Sequence, residues 1–185
     1  MRFKTCNAKH LTVLNVFAWI LMVPPGQGQA SEPLSSHVFR ENVIREGGRV
    51  DFVFGDDREF EQCHASTIVQ AANGRLVCAW FGGKKEKDPD VSVWMSSFDS
   101  TTWTAPVRTA KVAETAHWNP VLFRGADNTI HHFFKVGVDE VHWRTYWAQS
   151  RDNGKTWSEP TELVKGDVGG RGPVKNKPIL LSDGS

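Results

Sequence analysis

Scarcity narrows the reading of this chain before any motif does. Its 185 residues hold one tyrosine, Tyr146, and three cysteines. Cys6 lies in an apolar leader, so Cys63 and Cys78 are the thiols that remain beyond it. Neither stands in a CxxC pair or in a Cys/His spacing of the metal-binding kind. If Asn73-Gly74 forms a two-residue hairpin turn, Cys78 sits opposite Val69. Cys63 then falls about 20 Å further along, at ~3.3 Å per residue, out of disulfide reach. Two isolated thiols are expected. A charge excess is missing as well: 22 basic residues face 21 acidic ones, for a formal charge of +1. That balance gives no electrostatic reason to expect nucleic acid or an anionic membrane as partner. There is no glycine-rich phosphate loop, no Ser-His-Asp signature and no strong helical periodicity beyond the leader.

The leader itself is distinctive. Arg2, Lys4 and Lys9 precede the apolar run LTVLNVFAWILMV at residues 11–23, and PPGQGQA follows. Charged, apolar and small-residue regions in that order make a secretory signal peptide, with the cut expected after Ala30. The run is shorter than the ~20 residues of a comfortable membrane span; an uncleaved anchor is the alternative. Cleavage removes three basic residues and no acidic one, leaving 19 against 21 and a formal charge of −2. The expected location is secreted or periplasmic, with no membrane attachment after cleavage.

What is present is alternation of period two. Residues 1–30 read as signal, 31–62 as a polar lead-in with a strand over Val50 to Phe54, and 63–185 as a repeating β region. In the last, STIVQ (66–70), the turn AANG and RLVCAWF (75–81) make a hairpin. VSVWMS (91–96) adds a third strand and TAPVRTAKV a short fourth. The order recurs as NPVLFR (119–124), GADN, TIHHFFKV (129–136), YWAQS (146–150) and SEPTELV. A third round opens with KPILL (177–181) and the turn SDGS. The turn residues keep step: Gly74 to Asn128 is 54 residues and Asn128 to Gly184 is 56. A unit of about 50 residues with four short strands is a β-propeller blade. A β-sandwich with coincidental turn spacing is the competing architecture. Two blades and the start of a third cannot close a ring, so the chain reads as a piece of a longer protein.

Each round ends on a related motif. Ser150-Arg-Asp152-Asn-Gly154-Lys-Thr-Trp157 has a shorter echo in Ser97-Phe-Asp99-Ser-Thr-Thr-Trp103, and Pro follows three residues after each Trp, at Pro106 and Pro160. A short Asp side chain caps the N–H groups of a tight turn, Gly at the fifth place permits positive φ, and the Trp folds into apolar space. The motif supplies no nucleophile or acid partner. The expected role of Ser150, Asp152, Gly154, Trp157, Ser97, Asp99 and Trp103 is therefore structural.

This octet resembles the Asp box, the bacterial neuraminidase repeat of the sialidase superfamily. With HASTIVQAANGRLVCAWFGGKKEKDPDV, NPVLFR and GPVKNKP, the region from Cys63 to Ser185 is similar to the predicted-neuraminidase branch of that superfamily. The resemblance implies an all-β fold, a six-bladed sialidase-like propeller, with the active site central on one face and the Asp boxes on the rim. It implies an exo-glycosidase acting on terminal acidic sugars of glycoconjugates, with no cofactor. A non-catalytic carbohydrate-binding propeller and a hydrolase for a different sugar are the alternatives.

The resemblance also implies three substrate-clamping arginines, an acid/base Asp on a first-blade loop and a Tyr–Glu nucleophile pair. The first arginine belongs to an Arg-Ile-Pro run, where this sequence has His64-Ala65-Ser66. Arg40 lies too far upstream to align. The acid/base loop falls at GGKKEKDPDV, which makes Glu86, Asp88 and Asp90 the catalytic candidates, Glu86 first. A carboxyl in a partly buried centre gains a raised pKa and becomes a workable acid; a loop of solvated charge is the bland reading. Trp118-Asn119-Pro120 and Lys175-Asn176-Lys177-Pro178 are the corresponding strand starts. His64, Asn119, Lys175, Asn176 and Lys177 are thus the substrate-binding candidates, unless they are simply loop residues before buried strands. Tyr146 does not match the nucleophile position. No metal is expected, since His131 and His132 point to opposite faces of a strand.

Overall fold

The computed structural model describes residues 50–183. The signal region, residues 31–49 with Arg40, and Gly184 lie outside the described residues. The chain divides into two compact units, Met1–Phe52 and Val53–Ser185. Of the first, only residues 50–52 are described, and they carry no strand.

The second unit holds eight strands: β1 Gln62–Gln70, β2 Leu76–Gly83, β3 Ser92–Phe98, β4 Val107–Ala110, β5 His117–Arg124, β6 Ile130–Val136, β7 Arg144–Ser150 and β8 Thr161–Glu162. They form two four-stranded antiparallel meanders, β1-β2-β3-β4 (sheet A) and β5-β6-β7-β8 (sheet B). These are two propeller blades. Their registers repeat: Cys63 pairs with Gly82 and His117 with Val136, while Leu76 pairs with Phe98 and Ile130 with Ser150. The hairpins repeat too. Gly74 N–H donates to Ala71 O at 3.0 Å and Asn128 N–H to Gly125 O at 3.1 Å, with Gly74 at φ 86° and Asn128 at φ 67°. Each is a turn ending in a left-handed residue, one residue longer than the two-residue turn expected at Asn73-Gly74. Cys78 therefore faces Ile68, not Val69. Both Cys63 and Cys78 are free thiols.

β2 is buried along its whole length, which explains its continuous apolar run. On one face, Val77, Ala79 and Met95 of sheet A meet Leu122 and Ile130 of sheet B, with Val69 and Trp157 packed against them. Further along the same seam, Val93 and Ala110 meet Phe134 and Val136. On the other face of sheet A, Trp80 and Trp94 are covered by Phe60, with Phe54 and Val53 beside them. This corrects the strand expected over Val50 to Phe54. Residues 50–54 carry no strand; Phe54 instead lays its ring 4.9 Å from Trp80 and 5.0 Å from Phe60. The strand expected over 177–181 is also absent, since no described strand pairs with it, and Ile179 is 75% exposed.

The octets close the hairpin end of each blade. Asp152 Oδ1 accepts the N–H groups of Lys155 (3.0 Å) and Thr156 (2.9 Å) and the Ser150 hydroxyl (2.8 Å); Oδ2 accepts the Thr156 hydroxyl at 2.6 Å. These donors, the Thr156 hydroxyl foremost, hold the carboxyl well below the usual carboxylate range. Asp99 does the same for Thr101 N–H (2.9 Å) and Thr102 N–H (3.0 Å). Ser97, however, is not the counterpart of Ser150. Thr104 N–H donates to Ser97 O as Ser158 N–H does to Gln149 O, both at 2.9 Å. Phe98 therefore occupies the place of Ser150, because the shorter copy loses its residue between the strand and the Asp. Trp157 reaches back to lie edge-on to His132 at 5.6 Å, and Trp103 packs on Phe98 at 5.3 Å.

Gly154 ties the second octet to the first blade. Its φ is 80°, and a Cβ there would meet Val77 Cγ2 at 2.6 Å. At the opposite end, His117 links the blades. Its Nε2 accepts Val112 N–H at 2.9 Å, and its Nδ1 lies 2.9 Å from Thr115 O. Together these fix the neutral Nδ1–H tautomer. Burial lowers its pKa to about 4.

Two outcomes follow for equilibrium unfolding. Gly154→Ala combines left-handed strain of roughly 1–2 kcal/mol with overpacking of about 1–3 kcal/mol. Gly74→Ala, whose Cβ meets nothing within 4 Å, carries the strain alone; equal losses in urea titrations would contradict the clash with Val77. For His117, the unfolded chain takes up a proton near pH 6.5 and the folded chain resists to about pH 4. Its contribution is complete above 6.5 and is lost as pH falls towards 4. The stability gap between wild type and His117→Gln therefore narrows across that window; a gap constant from pH 7 to 4 would count against it.

Candidate functional site

In each blade the hairpin and octet lie at one end and the β2–β3 or β6–β7 connection at the other. The two ends are about 20 Å apart, at ~3.3 Å per residue along β2. The connection end is the candidate site. There Phe81, Val91, Ala116, Trp118 and Trp143 form a buried cluster, with Ala65 of β1 and Val174 packed against it. First-strand starts and the segment around Val174 thus converge on one point. Trp118 sits 5.7 Å from both Phe81 and Trp143 and donates its N–H to Gly137 O at 2.8 Å.

The loop GGKKEKDPDV is built by its own backbone. Lys84 N–H donates to Asp90 Oδ2 at 2.9 Å. Asp88 N–H reaches Lys85 O at 3.1 Å, and Val91 N–H reaches Asp88 O at 3.0 Å. Lys111 Nζ donates to Pro89 O and, at 3.2 Å, to Thr115 O, which ties the loop to the link between the blades. Asp90 thereby spends one carboxylate oxygen as a clasp at the mouth of the loop, and the half-buried Asp88 shapes the turn. Glu86 is exposed, its N–H is directed to Gln62 Oε1 of β1 at 3.4 Å, and its carboxylate has no partner among the described residues. The Asp88 carboxylate likewise has no partner among the described residues, and of the two Glu86 is the more exposed.

The strand starts fall differently from the expectation. Both first strands carry a bulge, between His64 and Thr67 and between Trp118 and Val121, and each bulge holds a left-handed residue, Ala65 at φ 53° and Asn119 at φ 43°. His64 therefore corresponds to Trp118, and Asn119 to Ala65. His64 is half-buried beside Phe81, with ring centroids 5.6 Å apart.

The third strand start is corrected as well. Gly172 has φ 85° and precedes Pro173, as Asn119 precedes Pro120. Gly170 N–H donates to Trp143 O at 3.0 Å, as His117 N–H does to Val91 O at 3.2 Å. The third start is thus Arg171-Gly172-Pro173. Lys175, Asn176 and Lys177 lie beyond it and are exposed, and Lys177 Nζ is turned to Ile68 O in the middle of β1. Matching Pro178 to Pro120 misled the alignment; the Gly-Pro pair 53 residues after Asn-Pro was the better signal.

One residue escaped the sequence reading. Lys135 of β6 is fully buried, stands 54 residues after Phe81, and donates to Thr145 Oγ1 at 2.8 Å and Arg171 O at 2.7 Å. It has no carboxylate partner among the described residues, and burial lowers its pKa to about 8. In sequence it reads as the polar member of an alternating strand, HHFFKV, with nothing to mark it as interior.

Residues 74–185 match the BNR repeat-like domain family. Among solved structures, a protein of unknown function from Dyadobacter fermentans DSM 18053 is similar over 69% of this chain and 46% of its own, at 16% identity and a TM-score of 0.52. The Hadza microbial sialidase Hz136 is similar over 55% of this chain and 26% of its own, at 14% identity and a TM-score of 0.47. A Penicillium chrysogenum α-L-arabinanase, solved with arabinobiose, is similar over 56% and 33%, at 18% identity and a TM-score of 0.45. The chain thus spans from about a quarter to under a half of the length of these structures. Comparison with curated proteins found no match. By the family match over more than half its length, supported by the two four-stranded blades, the chain belongs to the BNR repeat-like domain family.

Proposed function

We propose that the chain supplies two blades of a secreted glycoside hydrolase that removes terminal acidic sugars from glycoconjugates, after export by a signal peptide cut behind Ala30. The observation that carries this is the convergence at one end. The carboxylate-bearing loop 84–91, the starts of β1 and β5 and the segment around Val174 meet there, while both octets sit at the other end. A central site with structural octets on the far rim suits an exo-glycosidase that admits a chain end. In this reading Glu86 is the acid/base, Asp88 supports the loop that carries it, and Asp90 closes that loop. His64 and Asn119 line the sugar pocket, whereas Lys175, Asn176 and Lys177, which lie beyond the third strand start, stay outside it. The octets would then be Asp boxes.

A hydrolase for another sugar is the second reading. An imidazole at His64 stands where the resemblance implies a permanent bidentate cation, and that favours a substrate whose negative charge, if any, is held elsewhere.

The test is release of a fluorogenic sialoside by the full-length protein, beside fluorogenic arabinofuranoside and glucuronide. Turnover of the sialoside is expected, with a loss of about 10²–10⁴-fold in kcat for Glu86→Gln. An inactive full-length wild type on all three substrates would sink the hydrolase reading. Undiminished activity of Glu86→Gln would remove only that residue from its role. Residues 31–185 alone are expected to be inactive.

A further inference from the structure

We propose that Lys111 is a positioning residue for the loop 84–91, that the His117 ring holds it in place, and that the link between the two blades thereby fixes where the Glu86 carboxylate stands. The proposal rests on the glycosidase reading, in which Glu86 is the acid/base, and adds the groups that set the place of that acid.

The loop needs a hold from outside. Asp88 N–H donates to Lys85 O at 3.1 Å, which closes a turn with Glu86 and Lys87 at its tip. Lys87 has φ 79°, a left-handed conformation that strains a residue with a side chain. Such a conformation persists where the surrounding structure over-determines it. The bonds from Lys84 N–H to Asp90 Oδ2 and from Val91 N–H to Asp88 O lie within the loop itself. Glu86 N–H reaches Gln62 Oε1 only at 3.4 Å. Residues 84–87, 89 and 90 are exposed, so packing does little to hold the tip.

Lys111 supplies that hold. It belongs to the link between β4 and β5, and its ammonium donates to Pro89 O and, at 3.2 Å, to Thr115 O. Pro89 lies directly before Asp90, the clasp of the loop. Both acceptors are carbonyls, one in the loop and one in the link, so the ammonium bridges the two. A flexible stem ending in three donors suits acceptors that face it from different segments. Burial lowers the pKa of the ammonium, while Glu114 and Asp90 favour its charged form.

His117 seats Lys111. Its Nδ1–H shares the Thr115 carbonyl with the Lys111 ammonium, at 2.9 Å and 3.2 Å. Its Nε2 accepts the N–H of Val112, the residue after Lys111, at 2.9 Å. The ring thus pins the link at both ends. It is fully buried and stacks on Phe134 of β6 at 5.9 Å, and Val112 packs on the seam formed by Val93, Ala110, Phe134 and Val136. The His117 N–H donates to Val91 O at 3.2 Å, so the same residue also holds the end of the loop. Support runs from the seam to His117, from His117 to Lys111, and from Lys111 to the loop. Both are positioning residues that act through the loop.

The experiment uses the full-length protein, first without substrate. Lys111→Met should speed hydrogen exchange of the bonded amides of Lys84, Asp88 and Val91 by about tenfold or more, and leave those of Gly125 and Asn128 in the second hairpin unchanged. Kinetics follow on whichever fluorogenic sialoside, arabinofuranoside or glucuronide the wild type turns over. There Lys111→Met should lower kcat by about ten- to a hundredfold, with KM altered by less than about twofold. Lys111→Arg should restore most of both. In a Glu86→Gln background, Lys111→Met should add no further loss, because both changes act through one carboxylate. Unchanged exchange in Lys111→Met overturns the proposal and leaves the glycosidase reading standing. Faster exchange with kcat intact, or a further loss on top of Glu86→Gln, also overturns it alone. A wild type inactive on all three substrates overturns both. Lys111→Gln, whose shorter side chain withdraws from Pro89 O, carries the same expectations should Lys111→Met fail to fold.

Discussion

Everything in this chain depends on covering the faces of β2. Its eight residues are all buried, so sheet A needs a partner on each side. Sheet B covers one face through Leu122, Ile130, Phe134 and Val136. A strap of Phe54 and Phe60 covers the other, over Trp80 and Trp94. The registers of both hairpins follow from this packing, because a slip of one residue would turn Val77 and Ala79 away from the seam. The octets complete it from outside. Trp157 packs against the seam, and Gly154 fits against Val77 because it has no side chain.

That packing also explains the division of labour between the two ends. Short hairpins and octets close one end with saturated hydrogen bonding, and the carboxylate of Asp152 spends its oxygens on turn donors. The other end is joined by longer connections that carry charge, and there the Glu86 and Asp88 carboxylates have no partner among the described residues.

The blade period, the four-strand unit and the turn-capping bonds of Asp99 and Asp152 were legible in the sequence, because turn chemistry and alternation are local. The strand over 177–181 and that over Val50 to Phe54 were not, because pairing is not local: an alternating pattern needs a neighbouring edge. The site was less legible than the fold. Glu86 was readable as a loop carboxylate, but the bulges that set His64 against Trp118 were not, since each hides in one unusual φ. Asn119 and Gly172 tolerate that conformation and gave a hint of it; Ala65 gave none. Lys135 was invisible because its burial comes from the backbone of Arg171, 36 residues away.

The aromatic strap has a further consequence. It seals one side of sheet A, whereas on the far side of sheet B Phe123, His131, Phe133 and Trp147 stay half-buried, although the matching positions in sheet A, at Val69, Val77, Ala79 and Met95, lie in the seam. The two outer faces of the pair of sheets are therefore unlike: residues before β1 lie over one, while the other still presents aromatic rings.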